Sequence, residues 1–516
     1  MESPVSESTQ RESTQRESTQ VGAAVHPDHT QRNRRVIWLL LSASFVVILN
    51  ETIMSVALRD LMLDLDIEAA TAQWLSTAFM LTMAVVIPIT GFLLERFNTR
   101  PIFIAAMSLF SVGTLLAALA PGFGVLLLAR VVQASGTAIM LPLLMTTIMT
   151  LVPVASRGKT MGNVSIVISV APAIGPTISG IILDTLTWRW MFWLVLPIAL
   201  VMLIIGIRRV ENVTVPQKVP IDLFSVILSA FGFGGLIYGL SRVGELSQPA
   251  ADAMAVTQVW TSVGVGVVAL AAFVIRQLIL QRTDKALLDL RTFRSPTFAV
   301  SIAMMAVSMV ALFGTIILLP IYLQQVLHLE AINTGLLLLP GGLLMGVLAP
   351  FVGRIYDRVG PAPLLIPGSI IVSAALWALT IVSETTSQFY VLGAHIVLSL
   401  GLALVFTPLF TSALGAVQPK LYSHGSAFLG TVQQVAGAAG TAVFITIMAS
   451  QSASLLGAGV APDVAAAGGV RTAFLVGAII SLFAIIGAFF IRKSAEPAHE
   501  DEPVHEDAPA LAEFAG

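Results

Sequence analysis

The sequence predicts an all-α integral membrane protein of fourteen spanning helices, and three observations carry that prediction. Of 516 residues, 56% are hydrophobic and 11% charged, with a mean hydropathy of +0.90, far from the roughly 25% charge of an ordinary soluble domain. The apolar residues gather into runs near the roughly 20 residues that a helix needs to cross a bilayer. Lys and Arg alternate from loop to loop, as the positive-inside bias requires. Cysteine is absent, which removes disulfides, thiol nucleophiles and thiolate metal sites from the available chemistry.

The first 35 residues are polar and repeat ESTQR from Glu7 to Gln20, a low-complexity tract with nothing to bury, read as a disordered cytoplasmic tail. The apolar run that begins at Val36 outlasts the roughly 7 to 15 residues of a secretory signal core and reads as a retained span. Six spans follow from it: Val36 to Leu58, Ala72 to Leu94, Ile102 to Ala120, Phe123 to Leu151, Thr160 to Leu183 and Trp188 to Ile207. Two more, Ile221 to Ser241 and Val259 to Gln281, form an insertion within linkers 208–297; it shows few polar residues and no purpose that the sequence reveals. Six again complete the series: Phe298 to Val326, Thr334 to Val352, Pro363 to Ser383, Phe389 to Ala416, Ser426 to Ser450 and Ala473 to Ile491. Residues 492–516 are acidic and proline-bearing, a second disordered cytoplasmic tail. Its two HED triplets read as solvated charge and not as a metal site.

With the amino terminus inside, nineteen Lys and Arg, from Arg32 to Lys493, fall in cytoplasmic segments, against Arg59, Arg189, Arg242 and Arg471 outside. One miscounted span would invert every later loop, so the asymmetry supports the count and places both termini in the cytoplasm.

The six-two-six grouping suggests a duplication, and the same words occur in both halves. "GFLLERFNTR" follows span two and "GRIYDRVG" follows span ten, each a Gly, three residues, an acid and an Arg. "ARVVQASGTAIMLP" in span four aligns with "AHIVLSLGLALVFTP" in span twelve, and the two offsets, 353 − 91 = 262 and 394 − 129 = 265, nearly agree. Gly91 and Gly353 allow close helix approach, while Glu95 with Arg96 and Asp357 with Arg358 offer charges that can hold one helix against another in one conformation and release it in another. These residues, with Arg100, form a candidate conformational latch.

Glu51 sits inside the otherwise apolar "VVILNETIMSVAL", where a carboxylate costs several kcal/mol unless protonated, paired or wetted. Arg130 in span four lies at a similar distance from the outer interface, on the order of 10 Å by helical rise. Burial favours the neutral acid and a nearby guanidinium favours the carboxylate, so relative movement of the two could load and release a proton. The static alternative is a permanent ion pair, a poor stabiliser beside apolar packing. Asn50, Gln133 (three residues beyond Arg130) and His395 (at the repeat position of Arg130) are candidate proton or substrate cavity residues. A lone His on an apolar helix is more often merely hydrogen-bonded. In span five Gly162, Ser165, Ser169, Ala173 and Pro176 form a small-residue stripe suited to close packing, and Pro172 and Pro176 can bend the helix.

These motifs resemble the major facilitator superfamily, and within it the fourteen-span drug:proton antiporter family, over nearly the whole folded length. The resemblance implies two six-helix bundles plus two inserted helices. The loop words resemble that family's cytoplasmic motif, with Glu95 for the usual Asp and Asn98 for a Gly that is present as Gly360. "RVVQASG" resembles a motif whose Arg, here Arg130, is implicated in proton coupling, with Ala134 where Gly is common. "APAIGPTISG" resembles the antiporter motif, here Gly175, Pro176 and Gly180, which the family associates with limiting proton leak. The first-span acid is displaced by one residue, Asn50 then Glu51, as in the branch containing lincomycin exporters.

The function expected is proton-coupled export of hydrophobic, including cationic, drugs or toxic compounds across the cytoplasmic membrane by alternating access. The alternative is export of one endogenous lipid, siderophore or metabolite. Eighteen Met and 26 Phe suggest adaptable apolar walls. The expected partners are small hydrophobic substrates, protons and membrane lipids, with no nucleic acid and no oligomeric state assigned. No enzyme activity, cofactor or metal is expected, since no nucleotide-binding loop or metal cluster occurs in the sequence.

Overall fold

The computed structural model describes residues 27–213, 216, 220–243 and 253–492. The ESTQR tract, Lys218 and the acidic tail from Lys493 lie outside the described residues. Fourteen helices among the described residues are long and apolar enough to cross a membrane. They are α1 (Pro27–Leu65), α2 (Ala69–Arg96), α3 (Thr99–Ala118), α4 (Phe123–Leu151), α5 (Arg157–Thr185), α6 (Arg189–Arg209), α7 (Leu223–Arg242), α8 (Ala253–Leu280), α9 (Pro296–Gln325), α10 (Ala331–Val359), α11 (Ala362–Leu379), α12 (Gln388–Gly415), α13 (Tyr422–Gly457) and α14 (Pro462–Ala488).

The apolar runs locate these helices but understate their lengths. Helix α1 begins at Pro27, ahead of Val36, and continues past Leu58 to Leu65; α14 begins at Pro462, well before Ala473. Hydropathy marks the segment that lies in hydrocarbon, whereas backbone hydrogen bonding carries a helix on until something ends it. Pro462 stands in the first turn of α14, where its missing N–H costs nothing. The early turns of α1, read in the sequence as tail, are tied down by Arg32, which reaches Glu211 at 3.5 Å.

Packing repeats between the halves. Helix pairs α1·α5, α2·α4, α3·α4 and α3·α6 in the first six are matched by α9·α13, α10·α12, α11·α12 and α11·α14 in the last six. The two bundles meet along α5·α10 and α2·α13, which the duplication also interchanges, with α4·α13 and α5·α12 beside them. The α3·α4 approach depends on the absence of side chains: a Cβ on Gly136 would stand 2.3 Å from the Ala106 carbonyl oxygen. The loop motifs end their helices differently. Gly360 closes α10 at φ 82, a conformation that glycine adopts without penalty. Asn98 precedes α3 at an extended φ of −65, so no glycine is needed there.

The inserted pair is not a polar blank, contrary to the expectation from sequence. Helix α7 packs on both α2 and α13, and α8 packs on α7. At their shared end Arg276 holds Asp222 through two bonds of 2.6 and 2.8 Å. Ser225 donates to Asp222, and Gln277 donates to Ser225 at 2.7 Å while accepting from the backbone of Leu287 and Leu288. These residues lie at helix ends and in a linker, which hydropathy averages away. The knot fixes the hairpin to the segment that leads into the second bundle.

The Arg276 guanidinium pulls the Asp222 carboxyl down to about 2. Asp222→Ala should therefore lower stability by about 1–3 kcal/mol, seen as a lower melting temperature of the detergent-solubilised protein at pH 7. Because the folded carboxyl titrates below its ordinary range, the difference between wild type and variant should persist above about pH 4 and shrink as pH falls toward 2. An equal difference at acidic and neutral pH would contradict this role.

Candidate functional site

Arg130, in the first half of α4, is 1% exposed, and an isolated guanidinium so placed would be strongly penalised. Its charge is met by dipoles and a ring. Nη1 donates to Gln133 Oε1 at 2.7 Å and approaches Asn50 Oδ1 at 3.5 Å, and the guanidinium lies 4.0 Å over the Phe79 ring of α2. Gln133 is held in turn: its amide donates to Thr114 Oγ1 at 2.8 Å, and Thr114 donates to the Phe110 carbonyl. Nε of Arg130 is buried without a partner. Glu51, on the next residue from Asn50, is half-buried and within electrostatic reach of Arg130, but no salt bridge joins them. A neutral amide, Asn50, thus stands where the resemblance leads one to expect the first-span acid, and Glu51 stands apart from the arginine in this conformation.

A row of residues on α2 connects this site to the closure between bundles. At four-residue steps it runs from Phe79 under Arg130 through Met83, Ile87 and Gly91 to Glu95; each neighbouring pair lies together, and the row winds round the helix by about 40° per step, from α4 toward α13. Met83 Sδ accepts from Gln434 Nε2 at 3.6 Å, Ile87 packs where a Gly430 side chain would stand, and Gly91 leaves room for His424 and Ala427. Glu95 ends the row on His424 Nε2 at 3.2 Å, both side chains well buried.

The second seam mirrors the first. Asp357 of α10 accepts from the backbone N–H groups of Gly158 and Lys159, at 2.7 and 2.8 Å, in the first turn of α5, where a helix end favours an anion. Gly353 lies against Gly158 so closely that a Cβ would stand 2.1 Å from the Gly158 oxygen. The small-residue stripe of α5 continues this contact: Gly162 on Ala349, Ser165 accepting from Thr407 at 2.8 Å, and Ala173 on Gly342. Thr146 and Ser426 share a bond of 2.7 Å across the other seam. Beyond Ala173, Gly180 and Gly335 have open space where a side chain would be. The contacts between the bundles are thus concentrated at the end bearing the loop motifs.

Of the span-five motif, Gly175 packs tightly on Thr52 of α1, beside Glu51, while Pro176 is exposed and a side chain at Gly180 would meet nothing within 4 Å. Ser179, between them, donates to the Ile53 carbonyl. In the latch, the acids Glu95 and Asp357 make crossings between the bundles. Arg100 donates to the Ile207 carbonyl at 2.6 Å and so binds the end of α6 within its own bundle, and Arg96 and Arg358 are exposed. His395 Nε2 lies 3.1 Å from the Leu338 carbonyl, against Gly341 of α10, with Nδ1 buried and unpartnered; it does not meet Arg130 or Glu51. Phe79 and His424 escaped the sequence reading. The four-residue ladder on span two was the available signal for the first, and a titratable residue beside an apolar run for the second.

The sequence profile of the Major Facilitator Superfamily matches residues 40–441. The lincomycin resistance protein of Listeria monocytogenes is 43% identical over 464 residues, covering 89% of this chain and 97% of that protein. A multidrug resistance protein B homolog of Mycobacterium tuberculosis is 30% identical, over 81% of this chain and 76% of its own length. Among solved structures, a human organic anion transporter aligns over 88% of this chain and 99% of its own with a TM-score of 0.61 at 13% identity, a likeness of fold.

Gly158→Val would place a Cβ 2.5 Å from Asp357 Oδ1 and 2.6 Å from the Gly353 oxygen. It should wedge the closed end apart, raising the reactivity of a cysteine introduced at Ala349 toward a water-soluble thiol reagent. The chain has no cysteine of its own to confuse the reading. Unchanged protection at that position would show that the α5·α10 seam tolerates the intrusion.

Proposed function

The chain belongs to the major facilitator superfamily, and from that premise we propose that it is a proton-driven antiporter exporting hydrophobic drugs, cationic ones included, across the cytoplasmic membrane. Relatives named for lincomycin and multidrug resistance support drug export, and lincomycin is the first compound to test. The loop charges support an orientation with both termini in the cytoplasm. On that orientation the closed end is cytoplasmic and the conformation faces outward.

The observation that carries proton coupling is Glu51: an acid just beyond the seal, half-buried, with no ion pair, one residue from the amide that contacts Arg130. In the outward-facing state a proton from outside neutralises Glu51, which removes the desolvation penalty that a bare carboxylate would add on occlusion. The bundles then rock, the two seams open at the cytoplasmic end, and the proton leaves. The freed carboxylate is held by Arg130 or by a cationic substrate. Substrate binding and proton binding thus exclude one another, and the gradient drives export.

The energetics are adequate. One proton crossing about 100 mV supplies about 2.3 kcal/mol, enough for about a fiftyfold gradient of a neutral substrate. For a monovalent cation exchanged one for one, the electrical contributions cancel and only the pH difference drives transport.

In vesicles with an imposed proton gradient, wild type should export lincomycin and a lipophilic cationic dye, while Glu51→Gln and Arg130→Ala should lose gradient-driven export. Full activity of Glu51→Gln would remove the coupling role. Export of a single endogenous compound, with dyes and lincomycin untouched, would replace the drug reading by a narrower exporter.

A further inference from the structure

We propose that α1 and α6 together seat the phosphate headgroup of an anionic phospholipid, at the end of the molecule that bears the loop motifs. The two helices are far apart in sequence, and Arg32 of α1 reaches Glu211, just past the end of α6, at 3.5 Å. That contact brings Arg32 and Arg35, one turn apart on α1, beside Arg208 and Arg209 in the last turn of α6. Four guanidinium groups thus share one carboxylate.

Arg35, Arg208 and Arg209 are exposed and have no partner among the described residues, and Arg32 keeps a buried Nε without a hydrogen bond. Like charges gathered in this way repel, and an anion between them offsets the repulsion. Other arginines at this end are spent on the chain itself: Arg291 on Asp284 and Asp289, and Arg157 on the Met149 and Val152 carbonyls.

The surroundings select a lipid phosphate over a water-borne one. A helix carboxyl end ordinarily repels an anion, but Arg100 of α3 donates to the Ile207 carbonyl at 2.6 Å and so covers that end of α6. Guanidinium forks match phosphate oxygens in pairs. One turn further into the bilayer, Trp38 of α1 and Ile204 and Ile205 of α6 are exposed, an interfacial ring and an apolar slope against which acyl chains can lie. Charge above and hydrocarbon below is the pattern of a phospholipid and not of free phosphate. The bound lipid replaces repulsion between α1 and α6 by a shared counter-ion, and it steadies the early turns of the helix that carries Glu51. Diffuse attraction of a basic surface to a charged membrane is separated from a seated headgroup by Arg34. That residue is exposed on α1 but stands about 160° round the helix from Arg32.

The inference does not depend on proton coupling or on the exported compound, and its test involves no transport. Full-length protein carrying Ser42→Cys, then its only cysteine and two turns beyond Arg35 on the same side of α1, is labelled with a bimane dye and placed in phosphatidylcholine bilayers. Quenching by brominated phosphatidylglycerol, compared with brominated phosphatidylcholine, gives the relative association constant at that position. The anionic lipid should be preferred on the order of tenfold, and Arg35→Gln with Arg209→Gln should bring the two lipids near equality. Arg208→Gln with Arg209→Gln, confined to α6, should do the same and covers the case in which the first pair fails to fold. Arg34→Gln, an identical loss of charge, should stay within about twofold of the parent. No preference in the parent, an unchanged preference in a folded double variant, or an equal loss in Arg34→Gln would overturn the proposal. Release of the anionic lipid by sodium phosphate, but not by sodium chloride at matched ionic strength, would assign the site to a soluble anion and overturn it too.

Discussion

The cost of placing ionisable side chains inside an apolar bundle governs the rest of this structure. Arg130 cannot be left bare in α4, and it is accommodated by an amide ladder, Gln133 to Thr114 to the Phe110 carbonyl, with Asn50 and the Phe79 ring on other sides. None of these partners is charged. Glu51 lies within electrostatic reach of the arginine without a salt bridge to it, the arrangement on which the proposed proton exchange rests. A direct salt bridge would have satisfied both groups and left neither free to change.

That site gains mechanical reach because Phe79 heads the same winding row of α2 as Met83, Ile87, Gly91 and Glu95. A helix is stiff along its axis, so a tilt that relieves or loads the Arg130 contact also moves the residues that meet α13. The opposite seam is built from backbone approach, with Gly158, Gly162, Gly353 and Gly342 bringing α5 and α10 together over several turns. Such seams have two states, packed or parted, since a close backbone contact cannot be half made. The inserted α7, resting on α2 and α13 together, lies beside one seam and not the other, which makes the molecule asymmetric about its internal repeat.

Much of this was legible in the sequence, for physical reasons. Hydrocarbon demands long apolar helices, so all fourteen could be found, and the loop charges fixed a consistent count. The duplication showed in words that reappear as matched helix pairs. What escaped was set by partners distant in sequence. Periodicity can place Asn50 and Glu51 on a helix, but only packing decides that Asn50 and not Glu51 meets Arg130. Likewise an acid next to an arginine looks like a local pair, whereas Glu95 reaches His424 and Asp357 reaches the start of α5, across to the other bundle. The polar knot of the insertion was missed because its members lie at helix ends, where an averaged hydropathy sees nothing.

The central claim is that substrate and proton compete for one carboxyl in α1. Its most direct test is the proton count on binding: purified protein in weakly buffered detergent, a pH indicator, and a saturating cationic substrate added near neutral pH. The account predicts release of up to one proton per substrate bound by wild type and none by Glu51→Gln with binding retained. Equal proton release from both proteins would place the exchangeable proton elsewhere and contradict the account.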